Sequence, residues 1–132
     1  MGTGQVITNN GRIISLHRTF TASPTITAPT RFKIGTNTTT PVVGDTDMGT
    51  AVNINGTQFK NIVTGFPVLD TTNFQSTIRC FVNTTEANGN TLTEFGLINT
   101  DGTPLLFSHA VHTGITKTTS VQVTYIEKDQ VL

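Results

Sequence analysis

Apolar and polar residues alternate in short runs along this chain, and turn-forming residues separate the runs. The clearest run is Thr91–Ile98, and Asn99–Gly102 then supplies a tight turn before the next apolar segment. Strict alternation is typical of a β-strand with one buried face. We predict strands at 5–8, 12–20, 31–34, 51–54, 58–66, 74–82, 91–98, 104–111 and 121–127. Short strands at this spacing predict one all-β domain over residues 1–132, an antiparallel β-sandwich of jelly-roll or immunoglobulin-like type.

Tight turns are predicted at Asn9-Asn10-Gly11, Asn55-Gly56 and Asp101-Gly102. Each lies between two strand-like runs, and its glycine can adopt the positive φ that hairpin turns need. Apolar residues rarely recur at helical spacing, and the abundant threonine, asparagine and glycine disfavour helix. We therefore predict little or no helix, under about 10% of the chain.

The inward positions of the predicted strands form a candidate core. They are Phe32, Ile34, Ile78, Cys80, Val82, Phe95, Leu97, Leu106, Val121 and Val123. This prediction depends on register, because a slip by one residue would move a whole set to the opposite face.

The longest irregular stretch is Gly35–Thr50, which holds three glycines and one proline. Loops of this length in a compact domain are commonly functional. The stretch has few apolar groups to offset the entropy of ordering it alone. We predict an arm that contacts a partner chain; its candidate interface residues are Val42, Val43, Asp45, Asp47 and Met48. The alternative is a lid that packs on its own domain.

Charge is sparse and balanced, with eight basic and eight acidic residues and a formal net charge of zero. A basic excess that could bind nucleic acid is therefore missing, and we predict no nucleic-acid partner. The polar surface comes instead from 29 threonines and 11 asparagines. A chain with so little net charge tends to associate, which favours a protein that functions as part of an assembly.

Two groups of residues suggest a metal site at first sight. His109 and His112 could pair on a helix, but in a strand residues three apart point to opposite faces. Asp45 and Asp47 resemble the opening of a calcium loop, yet no closing glutamate follows them. We predict surface or interface histidines, an Asx-type turn at Asp45, and no metal or other cofactor.

The sequence evidence for catalytic groups is equally weak. Cys80 is the only cysteine, so there is no disulfide, and a core-facing position disfavours its thiolate. Glu86 and Glu94 could be the carboxylates of a glycoside hydrolase, but their spacing carries no evidence for it. The glycine-rich stretches lack the phosphate-binding signatures. We predict no enzymatic activity.

The first residues have neither the basic nor the apolar region of a signal peptide. Apolar runs also fall short of the ~18 residues that a membrane span needs. The sequence therefore predicts no secretory route and no membrane partner.

Three segments in succession resemble small structural proteins of tailed-bacteriophage virions. The first is VITNNGRIISLHRTF, at 6–20. The second, at 31–52, is similar to the family pattern kiGtGtttP…Dt.L through Lys33, Ile34, Gly35, Thr36, Pro41, Asp45 and Thr46. The third, at 93–125, resembles the ending E.GLf…dG.llf…pi.Kt…l.vty through Glu94, Gly96, Leu97, Gly102, Leu105, Leu106, Lys117 and Val123.

The resemblance implies a non-enzymatic component on the outer surface of a virion, made in the host cytoplasm. A short chain of this kind suits a capsid decoration (cement) protein, which typically binds the major capsid protein as a homotrimer. The same motifs occur in tail-tip, baseplate and fibre-attachment proteins, so a tail location is the alternative. A glycan-binding adhesin module is a second alternative, although the absence of tryptophan and the single tyrosine leave few platforms for sugar rings.

Overall fold

The computed structural model describes residues 4–131 of the chain. Its elements, in chain order, are β1 (Gln5–Ile7), α1 (Asn9–Phe20), β2 (Arg31–Gly35), β3 (Lys60–Asn61), β4 (Val68–Asp70), β5 (Gln75–Val82), β6 (Thr91–Ile98), β7 (Ser108–Thr116) and β8 (Val123–Gln130). The five-stranded sheet has the order β1-β7-β6-β2-β3, and the three-stranded sheet has the order β4-β5-β8. Every pairing is antiparallel. The predicted all-β sandwich is confirmed.

The core lies between the two sheets and contains most of the residues that the alternation predicts. Eight of the ten predicted core residues are buried in it, and Val121 is partly buried against it. Leu106 is also buried, but in a separate cluster with Met48 and Ile98, so its predicted place in this core is wrong. Phe95 on β6 stacks on Tyr125 of β8, with ring centroids 4.5 Å apart and planes 7° from parallel. This contact joins the sheets through two large apolar surfaces. The predicted inward positions are confirmed for β2, β5, β6 and β8.

The hairpin predicted around Asn9-Asn10-Gly11 is wrong, because residues 9–20 form helix α1 instead of a turn and a strand. Thr8 caps the helix: its side-chain oxygen accepts a hydrogen bond from the Gly11 N–H at 2.9 Å. The Thr8 hydroxyl also donates to the carbonyl of Leu106. Tertiary packing therefore selects the helix, since this buried cap holds its first turn against the chain that leads into β7.

The glycine in that first turn is required by packing rather than by a turn. A Cβ on Gly11 would overlap the carbonyl oxygen of Phe107. The helix thus approaches the backbone before β7 more closely than a larger residue would permit.

Several predicted strands are shorter or displaced. In the predicted strands 51–54 and 58–66 only an isolated bridge at Ala51 and the short β3 form. A strand, β4, lies where a connection is expected after Pro67. The strand predicted at 104–111 begins later, at Ser108, because Leu106 makes only an isolated bridge to Ile98.

No helix among residues 4–131 is long and apolar enough to cross a membrane.

Candidate functional site: a loop clamped onto the outer sheet face

Strand β6 is buried on both faces, although a sheet in a two-layer sandwich usually leaves its outer face in water. Phe95 and Leu97 face the core, while Ile98 packs with Met48 and Leu106 in a second cluster. Met48 belongs to the irregular stretch that follows β2. The outer face of β6 is therefore covered by this loop, residues 36–50, which we call the clamped loop.

The side chain of Glu94 fastens the clamped loop to β6. One carboxylate oxygen accepts hydrogen bonds from the backbone N–H groups of Asn37 and Thr50, at 2.9 and 3.1 Å. The other accepts from the Gly49 N–H at 2.7 Å. Only 1% of the Glu94 side chain is exposed. One buried carboxylate thus satisfies three backbone donors from the two ends of the loop.

These donors determine the ionisation of Glu94. Burial alone would raise the pKa of this carboxyl, but the N–H groups of Gly49, Thr50 and Asn37, together with His109, outweigh it and lower the pKa below its usual value. Glu94 is therefore a carboxylate at neutral pH, and its hydrogen bonds are charge-assisted.

His109 on β7 extends the network to the tip of the loop. Its Nε2 lies 2.9 Å from Glu94 Oε1, and its Nδ1 lies 2.7 Å from Asp45 Oδ2. Ionised carboxylates only accept hydrogen bonds, so both contacts are satisfied when the ring carries both protons. The ring lies between the two carboxylates and is buried, at 5% exposure. The prediction of a surface histidine at 109 is wrong.

Close approach of the backbone also depends on Gly35. A Cβ at this position would overlap the Glu94 carboxylate and lie 2.5 Å from the Thr50 carbonyl oxygen. The two longer motif segments of the sequence, 31–52 and 93–125, therefore meet at this site: Gly35 and Asp45 come from one, Glu94 and His109 from the other.

The predicted interface residues have different positions on the clamped loop. Val42 and Val43 are exposed, at 57% and 42%. Asp45 accepts a hydrogen bond from the Val42 N–H at 3.0 Å, and its own N–H donates to the Val42 carbonyl at 3.0 Å. This is a tight turn over 42–45 and not the predicted Asx-type turn, in which the donor follows the aspartate. Asp47 is exposed and pairs at 2.5 Å with Lys33, whose side chain is only 12% exposed. Met48 is only 6% exposed and packs within its own chain, so its placement does not support an interface role.

Sequence reasoning misses a second exposed apolar feature, on helix α1. Ile13, Leu16 and Phe20 are 42%, 58% and 80% exposed, and residues three, four or seven apart lie on one face of a helix. Asn9 lies on the same face, and its backbone N–H donates to the carbonyl of Val43 at 2.7 Å. The start of the helix is therefore fixed to the loop tip. We call Ile13, Leu16, Phe20, Val42 and Val43 the helix–loop surface.

The remaining candidates for chemistry are satisfied within the fold. Cys80 is buried, and burial raises the pKa of its thiol, so the thiolate is disfavoured. The buried Glu86 accepts hydrogen bonds from Lys60 Nζ at 2.7 Å and from the Asn83 N–H at 2.9 Å. Glu86 and Glu94 thus serve separate networks. Within residues 4–131, no group of three or more His, Cys, Asp or Glu side chains is arranged to hold a metal ion.

Comparison with known proteins identifies no relative. No protein-family model, no curated protein sequence and no solved structure matches this chain. A function must therefore be inferred from the residues and their arrangement.

Proposed function

We propose that this chain is a non-enzymatic structural protein of a tailed-phage virion, a capsid decoration protein that binds other virion chains through the helix–loop surface. The observation that carries the proposal is the exposed apolar stripe of Ile13, Leu16 and Phe20, together with the exposed Val42 and Val43 on the loop that is hydrogen-bonded to the start of the helix. Several exposed apolar side chains grouped in this way are typical of a protein–protein contact. The family resemblance supplies the class of partner, namely the major capsid protein and further copies of this chain in a homotrimer.

The clamp makes this surface suitable for assembly. Glu94 holds both ends of the loop, and Asp45 holds its tip through His109. Val42 and Val43 are thus presented on a segment that is ordered before binding. Less conformational entropy is then lost on association than with a free arm.

Particles assembled without this chain provide the test. The purified protein is added to heads and to tails separately, and bound protein is measured after sedimentation. We expect binding to heads, in trimeric clusters seen by particle reconstruction. The double variant Leu16→Ser, Phe20→Ser should bind at least about tenfold more weakly with an unchanged melting temperature, because apolar anchors dominate binding energy.

A matched control is Leu69→Ser, which removes an equally exposed apolar side chain from β4 in the other sheet. This variant should bind like the parent. Binding to tails alone would favour the tail-tip, baseplate or fibre-attachment alternative. Failure to bind either fraction, or full binding by the helix variant, would overturn the proposal.

A further inference from the structure

A cleft of about 720 Å³ runs along one open side of the sandwich, between β7 and β8. Strand β8 is the edge of its sheet and pairs only with β5 among the described strands. On the opposite sheet, β1 pairs with Ser108–Ala110, so within residues 4–131 the second half of β7 pairs with β6 alone. Two strand edges from different sheets therefore border the same cleft.

An edge strand presents unpaired backbone N–H and C=O groups, which select an extended chain over a compact ligand. The free edge of β8 is eight residues long, and alternate residues direct their backbone groups towards it. The cleft wall beside it is largely apolar, with Phe95, Ile115 and Val123 among its residues. An extended segment paired to β8 would direct alternate side chains against this wall.

One end of the cleft carries a buried carboxyl. Glu127 lines the cleft and is 3% exposed. Its Oε1 accepts a hydrogen bond from the Ser108 hydroxyl at 2.7 Å, while Oε2 is buried without a donor among the described residues. Asp129, two residues along, lies on the same face of β8, and burial together with this neighbouring carboxyl raises the pKa of Glu127. A lysine or arginine side chain would give Oε2 a donor and the carboxyl a counter-charge.

We propose that this cleft binds an extended segment of a partner protein, which adds as a strand to the edge of β8 and places a lysine or arginine side chain on Glu127. The inference is independent of the helix–loop surface and of a virion location. A second copy of the same chain is disfavoured as the occupant. Pairing of β8 with its own copy would bring the Glu127 and Asp129 carboxyls of both chains to one face of a shared sheet, where like charges repel.

Selection from a yeast-displayed library of random peptides tests the proposal. Peptides enriched on the parent protein should contain alternating apolar residues and one basic residue. For one enriched peptide, replacing the basic residue by glutamine should weaken binding about tenfold, as expected for loss of a charge-assisted contact. Hydrogen exchange with the bound peptide should slow at amides of Val123–Gln130 and leave Asn9–Phe20 unchanged.

The variant Glu127→Gln is the matched control for the protein. Glutamine has nearly the same shape and can still accept from the Ser108 hydroxyl, so the fold is retained, which a thermal melt verifies. Replacing the peptide's basic residue by glutamine should then change its Kd for the variant less than about twofold, which is under about 0.5 kcal/mol, because residue 127 no longer carries a carboxylate. N-methylation of alternate peptide amides should abolish binding to the parent, because the backbone can no longer pair.

Four outcomes would overturn the inference. They are failure of any peptide to enrich, enrichment without a basic residue, equal discrimination by parent and Glu127→Gln, and protection of α1 instead of β8. Concentration-dependent protection of β8 in the protein alone would also decide against it, by identifying a second copy as the occupant.

Discussion

Replacing Glu94 by glutamine should release the clamped loop while leaving the sandwich folded. The carboxylate accepts hydrogen bonds from three backbone N–H groups and from His109. Glutamine keeps one acceptor oxygen and places an amide NH₂ at the other position. Two of the four donors would then face another donor.

The size of the effect follows from that count. A hydrogen bond to a charged group contributes about 1.5–3 kcal/mol. Two lost bonds give at least about 3 kcal/mol, and we expect the lower end, because the loop can move away from the new amide. The free energy of unfolding, from urea denaturation followed by circular dichroism, should fall by about this amount. Hydrogen exchange should accelerate at the amides of Asn37, Gly49 and Thr50.

Asp47→Asn is the control within the same loop. Asp47 pairs with Lys33, and because the Asp47 carboxylate is 58% exposed to solvent, we expect the pair to contribute about 1 kcal/mol or less. A loss for Glu94→Gln no larger than that of the control would refute the reasoning. Parental protection of the three amides in Glu94→Gln would refute it as well.

Three further predictions concern the core, the helix and the buried acid pair. Phe95→Ala should lower the free energy of unfolding by about 3–5 kcal/mol, because the stacking on Tyr125 is replaced by a cavity; a loss below about 1 kcal/mol in urea denaturation would contradict this. Gly11→Ala should destabilise by about 1–3 kcal/mol despite alanine's higher helix propensity, since its Cβ overlaps the Phe107 carbonyl oxygen; an increase in melting temperature would contradict it. Glu127→Gln should stabilise the protein at pH 7 by about 1–3 kcal/mol, the cost of an unsatisfied buried group, and the gain should vanish near pH 4 in melts across pH; a gain independent of pH would contradict the acid-pair account.

Alternation predicts the central strands well because the two signals of a strand, its residue types and its period of two, are both local in sequence. The bounds of β6 agree with the predicted 91–98, and β5 differs from the predicted 74–82 by one residue. Each combines β-branched or aromatic residues with a period of two. The edges are predicted less well: β3 and β4 are two and three residues long, and their pairing depends on neighbours that are distant in sequence.

Alternation predicts a strand where helix α1 forms, although the sequence also contains signals of a helix. Ile14 and Leu16 alternate with polar residues over a short window and favour a strand. Thr8 is a good cap, and Ile13, Leu16 and Phe20 recur at helical spacing. The choice between strand and helix depends on the burial of Thr8 and Gly11 against residues 106–107, about a hundred positions away in sequence.

The clamp could not be predicted from sequence because its partners are separated by 44 to 57 residues. A glutamate in a strand and a threonine-rich loop carry no mutual signal in a single sequence. The exposed valines were predictable as apolar residues in a long loop. Their fixed position beside the helix depends on the fold.

Two buried glutamates respond to pH in opposite directions, and the difference arises from their donors. Burial disfavours ionisation of both, but Glu94 meets backbone N–H groups that lower its pKa, whereas burial and the neighbouring Asp129 carboxyl raise the pKa of Glu127. Stability from Glu94 is therefore present above its ordinary value of 4.5 and is lost as pH falls through the lowered pKa. Stability at the Glu127 pair is present below 4.5 and is lost as pH rises through the raised pKa. Because Val43 meets α1 through the loop that Glu94 holds, acid should loosen the helix–loop surface while it strengthens the contact between β8 and β7.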